Sequence, residues 1–310
     1  MIKTLITGGA GYIGSILIPF LLNEGFKVTI YDLLLYGGHS VLPFISNKNF
    51  FFIKGDIRDR ETLNRHIKKN DIIVHLAAIV GLPACNKDKK LAYSTNVTGT
   101  KNIIDNLSPN QQLIHASTVS NYGASTGDTC DENTPLEPIS CYGKTKTEAE
   151  KIVLEFKNTI CLRFATAFGV SPRMRLDLLI NDFVYQAYIN KFLILFEKTY
   201  KRTFAHVQDL SKSIIFAIKN FEKMKHSIFN IGDNSNNYSK EEIALKIKER
   251  IDYYLHFADI EADEDKRNYD VSYDKINSLG FKTAITVDEG IDELIKACHI
   301  FEFQHPYKNI

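Results

Sequence analysis

The chain has 310 residues, 44% of them apolar and 24% charged, a balance that excludes a disordered polypeptide. Its 38 basic and 37 acidic residues leave a formal charge of +1, so no overall field draws it to nucleic acid or to an anionic membrane, and neither is expected as a partner. The cysteines (Cys85, Cys130, Cys141, Cys161, Cys298) are odd in number, dispersed and without CxxC spacing, which excludes a disulfide framework and a zinc site and predicts reduced thiols with no metal.

The amino-terminal apolar run is too short for a signal peptide or a membrane span, so a cytoplasmic protein is expected. It serves instead as a first strand, Ile2–Thr7. A helical pattern follows at Tyr12–Glu24, then a strand at Lys27–Tyr31, a strand at Phe50–Lys54 and a helix at Arg60–Lys69. The next elements are a strand at Ile72–Leu76, a helix at Lys89–Asn106, a strand at Gln112–Ala116, a helix at Cys141–Lys157 and a strand at Thr159–Phe164. Strands rich in Ile, Val and Leu, alternating with helices, predict a parallel sheet buried on both faces. The fold class is therefore α/β, a Rossmann-like doubly wound sheet. After Gly169 the rhythm breaks. Helices are predicted at Leu178–Ile189, Val207–Lys219, Lys240–Arg250 and Asp288–Cys298, with short strands at Thr203–Ala205, Ile228–Ile231 and Tyr254–Ala258.

Thr7-Gly8-Gly9-Ala10-Gly11-Tyr12-Ile13-Gly14 joins the first strand to the first helix. Spacing Gly8-x-x-Gly11-x-x-Gly14 suits a dinucleotide: Gly8 for a tight turn, Gly11 for approach of the backbone to a pyrophosphate, Gly14 for close packing of helix on sheet. The amides around Tyr12 and Ile13 then face the phosphates, which also call for a local basic patch. Asp32, at the end of the second strand, is placed to accept hydrogen bonds from an adenosine ribose and to repel a 2′-phosphate, so NAD is the expected cofactor. Gly55-Asp56-Ile57 ends the third strand and suits an adenine contact by Asp56. His75-Leu76-Ala77-Ala78 ends the fourth, where the small Ala77 and Ala78 leave room for a cofactor. On this basis residues 1–169 form an NAD-binding domain. Residues 170–310 form mainly a smaller mixed α/β lobe for substrate, with about 203–220 returning to the core.

Tyr142 and Lys146 stand four apart in Tyr142-Gly143-Lys144-Thr145-Lys146 and so share a helix face. Their helix follows a strand that runs into Ser117-Thr118, at the end of the sheet where a nicotinamide would lie. A free tyrosine has a pKa near ~10, and a neighbouring ammonium favours its ionised form. Tyr142 can then act as base on a substrate alcohol while Thr118 holds the oxygen and Lys146 also binds the nicotinamide ribose.

Together TGGAGYIG at 7–14, GDIRD at 55–59, HLAA at 75–78 and YGKTK at 142–146 resemble the extended short-chain dehydrogenase/reductase family, in particular its enzymes of nucleotide sugars. Arg163-Phe164, Phe168-Gly169 and RTFAHVQD at 202–209 continue the likeness over nearly the whole chain. The resemblance implies Thr118, Tyr142 and Lys146 as the catalytic set, and Arg202 and Arg267 as ligands of a substrate diphosphate. His206 is expected to be structural. Thr166 stands where many members place a substrate-contacting Asn. A homodimer pairing Lys89–Asn106 with Cys141–Lys157 is also implied.

Departures narrow the reaction. The 4,6-dehydratases of the family follow their threonine with Asp-Glu; here Val119-Ser120 stand there. Epimerising reductases of the GDP-fucose type place a cysteine where Ser120 falls, and Cys141 points elsewhere on its helix. The segment SPRMRLDLLINDF at 171–183, which includes Asn181 as a candidate substrate contact, resembles a subgroup acting on GDP-heptoses. The expected activity is NAD-dependent oxidation at C4 of a GDP- or UDP-linked sugar, as a 4-epimerase. The alternatives are a 4-dehydrogenase, a 4-keto reductase and, in another class, a non-catalytic NAD-sensing scaffold.

Overall fold

The computed structural model describes residues 1–123, 129–258, 268–300 and 309. Its main sheet is built from β1 (Lys3–Thr7), β2 (Lys27–Asp32), β3 (Phe50–Lys54), β4 (Ile72–His75), β5 (Gln112–Thr118) and β6 (Thr159–Phe164). Between them run α1 (Gly14–Asn23), α2 (Arg60–Ile67), α3 (Leu82–Lys87), α4 (Lys89–Tyr93), α5 (Thr100–Ile104) and α6 (Cys141–Leu154). Beyond them come β7 (Thr166–Phe168), α7 (Leu179–Ile189), β8 (Phe192–Leu195), β9 (Lys201–His206), α8 (Val207–Lys219), α9 (Phe221–Met224) and β10 (Ser227–Ile231). The described chain then continues through β11 (Asn237–Ser239), α10 (Lys240–Lys248), β12 (Tyr254–Phe257), α11 (Asp274–Ser278) and α12 (Val287–Cys298).

Seven strands form one sheet in the order β10-β6-β5-β4-β1-β2-β3, with every pair parallel. Alternate residues of its strands serve opposite faces, as the pleat requires. Ile6, Val74, Ile114 and Leu162 share a core with Leu17 of α1 and Ile214 of α8. Leu5, Ile73, Leu113 and Cys161 share another with Leu63 of α2, Ile103 of α5 and Val153 of α6. Burial on both faces is why these strands read as unbroken apolar runs. The chain reverses its direction of travel across the sheet between β1 and β4, and the crevice above that point is where such sheets bind ligands.

A second lobe has its own core, in which Phe168, Phe204, Ile180, Ile243 and Ile291 are buried together. It carries a three-stranded sheet, β11-β9-β7, and a parallel pair, β12-β8. The return to the main core is broader than the expected stretch near 203–220. Helix α8 packs against that core, β10 joins the sheet edge beside β6, and Tyr273, Ile276 and Phe281 enter the same core. The predicted helix Lys89–Asn106 is interrupted by a π-helical segment, Ser94–Gly99, between α4 and α5. No helix among the described residues is long and apolar enough to cross a membrane.

Candidate active site

Loops at the carboxyl ends of the strands enclose a cleft of about 1000 Å³ between the sheet and the second lobe. Its floor is the glycine turn. Gly8 has φ of 73°, and a Cβ there would lie 2.6 Å from the backbone nitrogen of Ala77. A Cβ on Gly14 would lie 2.5 Å from the carbonyl oxygen of Gly9. Neither position admits a side chain without moving backbone. Gly11, Tyr12, Ile13 and Gly14 line the cleft, and no side chain caps the first turn of α1. The positive end of that helix is open to a ligand.

Asp32 lines the same cavity. Its Oδ2 accepts from the Ala10 amide at 2.9 Å and its Oδ1 from the Leu34 amide at 2.7 Å. Burial raises its pKa, while these two amides pull it down. Its carboxylate thus holds the loop after β2 against the glycine turn. Asp56 and Ile57 also border the cleft, with the Asp56 carboxylate paired to Arg58 at 2.6 Å, and that pairing lowers its pKa. Leu76, Ala77 and Ala78 complete this wall. The backbone beyond them is pinned by Asn96 of the π segment, whose Oδ1 accepts from the Ile79 amide and whose Nδ2 donates to the Ile79 carbonyl and to Thr145 Oγ1 of α6.

Thr118, Tyr142 and Lys146 all line this cleft. Thr118 ends β5; its Oγ1 accepts from the Ser120 amide and donates to Ser120 Oγ, both at 3.1 Å. Tyr142 lies in the first turn of α6, whose start is capped by the Ser140 hydroxyl accepting from the Gly143 amide at 3.0 Å. Lys146, one turn on, is 3% exposed. Burial brings its pKa down to about 8, against the opposing pull of Glu150. Its Nζ lies 3.2 Å from Nε2 of His115. The same helix face continues to Glu150, which takes Arg163 in a buried ion pair at 2.7 Å and accepts from Ser117 Oγ at 2.5 Å.

Thr166 and Arg202 border the cleft from the second lobe, and Arg202 is almost fully buried. Asn181 does not line it. It is buried, with Oδ1 accepting from the Gly169 amide at 3.0 Å and Nδ2 donating to the Arg175 carbonyl at 2.8 Å and to Tyr12 Oη at 3.2 Å. Its polar groups are used in joining α7 to the glycine turn, because Tyr12 itself donates to the Gly169 carbonyl at 2.5 Å. Arg267 lies outside the described residues. His206 pairs with Glu293 at 2.6 Å and packs edge-on against Phe168, a supporting role. Cys141 packs with Cys85 and Ile79 in a small apolar cluster. Arg173 and Arg175, which sequence reasoning did not single out, both line the cleft. Isolated arginines in a loop carry no periodic signal.

A family model for the NAD dependent epimerase/dehydratase family matches residues 4–232. A low-salt glycan biosynthesis protein of Haloferax volcanii is 27% identical over 305 residues, covering 94% of this chain and 96% of that one. The CDP-paratose 2-epimerase of Salmonella typhi is 27% identical over 330 residues, covering 94% and 98%. Among solved structures, dTDP-glucose 4,6-dehydratase from Bacillus anthracis in complex with NAD superimposes with a TM-score of 0.83 at 26% identity, covering 97% and 98% of the two chains. UDP-glucuronic acid 4-epimerase from Bacillus cereus gives a TM-score of 0.86 at 23% identity, covering 96% and 99%.

Proposed function

This chain belongs to the NAD dependent epimerase/dehydratase family, and from that premise we propose that it is a nucleotide-sugar 4-epimerase that works with a bound NAD. The observation that supports the reading is that Thr118, Tyr142 and Lys146 line the same cleft as the glycine turn. That turn fits the cofactor, since its glycines leave no room for side chains and the first turn of α1 is uncapped. Gly11, Tyr12 and Ile13 would hold the diphosphate, Asp32 the adenosine ribose, and Lys146 the nicotinamide ribose.

NAD, when bound, supplies the acceptor and then the donor of one hydride at the sugar's C4. Tyr142 removes the C4 hydroxyl proton as the hydride leaves, with the Lys146 ammonium stabilising its phenolate. Thr118 donates to the same oxygen and keeps it in place. When the 4-keto sugar presents its other face, Tyr142 returns the proton and the inverted alcohol forms. No carboxylate directly follows Thr118, since Val119 and Ser120 stand there. The acid and base that elimination of water needs are not supplied at those positions, which favours epimerisation over dehydration. Arg202 would neutralise part of the substrate's diphosphate. A homodimer through α4, α5 and α6 belongs to the same proposal, and light scattering tests it.

A panel of UDP-, GDP- and dTDP-linked sugars, including a GDP-heptose, tests the activity by NMR of the products. The expected result is inversion at C4 with no net accumulation of reduced cofactor. Release of a 4-keto sugar with stoichiometric NADH would replace the epimerase by a 4-dehydrogenase. Neither product from any member of the panel would sink both.

A further inference from the structure

Arg173 and Arg175, on the loop between β7 and α7, take no part in the chemistry above. Both are buried, at 6% and 8% exposure, and both face the cleft. A buried guanidinium is costly unless its charge is offset. Arg175 is offset, because its Nη2 and Nε reach the Asp177 carboxylate at 2.6 and 3.3 Å. Among the described residues, the hydrogen-bond partners of Arg173 are neutral. It donates to Asn309 Oδ1 at 2.7 Å and to the Met174 carbonyl, and it stacks 4.4 Å over the Tyr36 ring. Among the described residues, these two guanidinium groups have one ion-paired carboxylate between them, Asp177, which leaves the loop itself with a net positive charge against the cleft. Burial first, and the charge of Arg175 second, depress the Arg173 pKa, with Asp177 and Tyr36 pulling the other way. This loop therefore has the electrostatics of an anion site.

Position selects the anion. Tyr36 stands four residues past Asp32, on the loop leaving β2. Arg175 Nη2 lies 3.7 Å from where a Cβ on Gly81 would sit, on the loop leaving β4. Its charge also acts on Tyr12 in the glycine turn. These three loops surround the positive end of α1, where the cofactor's diphosphate belongs on the reading above. Arg202 and Lys240 reach the cleft from β9 and α10 instead. We propose that Arg173 and Arg175 clamp the diphosphate of NAD from the side opposite the glycine turn, so that the cofactor stays resident between turnovers. Such a clamp suits a reaction that borrows a hydride and gives it back. The proposal rests on the NAD reading, and its test separates the two.

The test compares wild type, Arg173→Gln, Arg173→Lys and Arg175→Gln for NAD retained through purification and dialysis, and for NAD affinity by calorimetry on stripped protein. Loss of a charge-assisted, paired hydrogen bond is expected to weaken NAD at least about tenfold in the Gln variants, with KM for the nucleotide sugar little changed. Arg173→Lys keeps the charge without the paired donors and should fall between; it also decides the question if a Gln variant fails to fold. Variants that hold NAD as tightly as wild type, with a raised KM for the sugar, would assign the arginines to the substrate's diphosphate and overturn the clamp. Wild-type protein that binds no NAD would instead defeat the functional reading itself.

Discussion

Lys146 Nζ and His115 Nε2 lie 3.2 Å apart, with both side chains buried. His115 is on β5, three residues ahead of Thr118, so one strand carries both the threonine and the imidazole behind the lysine. Burial, with the Lys146 charge as a smaller contribution, holds the His115 pKa well below the usual histidine value. The ring is thus neutral through the physiological range and accepts from the ammonium. This arrangement predicts an alkaline limb in kcat/KM near pH 8, where Lys146 loses its proton and no longer favours the Tyr142 phenolate. Removing the acceptor with His115→Leu should move that limb to lower pH, because a hydrogen bond to the charged form is lost. A limb at the same pH in both proteins would remove His115 from the argument.

The same burial has a sign in stability. A lysine whose pKa is depressed in the folded state binds fewer protons there than in the unfolded chain, between about 8 and the ordinary lysine value. Folding stability therefore rises with pH across that window, and the cost of the buried charge is fully present below it. Lys146→Met is expected to be more stable than wild type at pH 7, with the difference shrinking as pH approaches 10. Urea unfolding at several pH values measures this. A wild type that loses ground to the variant as pH rises would contradict it.

Tyr142→Phe removes the proposed base and leaves the glycine turn intact. Turnover should fall by about 100-fold or more, while NAD binding by calorimetry stays within a few-fold of wild type. Full biological function in the variant would favour the non-catalytic scaffold.

Glu150 and Arg163 form a buried pair whose side chains are 2% and 3% exposed. Arg163 also donates to Tyr122 Oη at 2.9 Å, and Tyr122 donates to Asn230 Oδ1 at 2.8 Å, on β10. Replacing one partner, as in Glu150→Gln, strands a buried charge and should cost about 3–5 kcal/mol. A thermal melt displaced by only a degree or two would show that the pair is not holding α6 to the sheet.

Gly14→Ala places a methyl 2.5 Å from the Gly9 carbonyl oxygen. The neighbour is backbone, so the turn itself must shift. The expected cost is about 1–3 kcal/mol, and NAD binding should weaken with it. Gly25→Ala is the control for a glycine with open space around it but a φ of 81°: it should cost stability and leave NAD binding alone.

The sequence was most legible where a pattern is local. Six strands and the Tyr142–Lys146 helix could be read from apolar runs and four-residue spacing, because burial on both faces of a parallel sheet imposes those patterns directly. Strands β7 and β11 were missed because three residues are too short to show alternation, and β8, Phe192–Leu195, because it is apolar throughout. The π segment at Ser94–Gly99 was invisible because it shifts hydrogen bonds without changing which residues are apolar. Expecting Asn181 in the cleft overlooked a competing demand: Tyr12, Gly169 and Arg175 all need its polar atoms. No helical or strand periodicity marks Arg173, whose significance comes from contact with Tyr36 and Asn309, residues far away in the chain.

The strand β10 has a mechanical corollary. The backbone leaves the large sheet after β6, returns through α8 and β10, departs again through β11, α10 and β12, comes back at Tyr273 and Phe281, and leaves once more in α12. The two lobes are stitched along several threads rather than joined by one hinge. Wide opening would strain all of these backbone crossings at once, so passage of ligands falls to the loops at the rim of the seam, and a single proteolytic nick should leave the halves bound to each other.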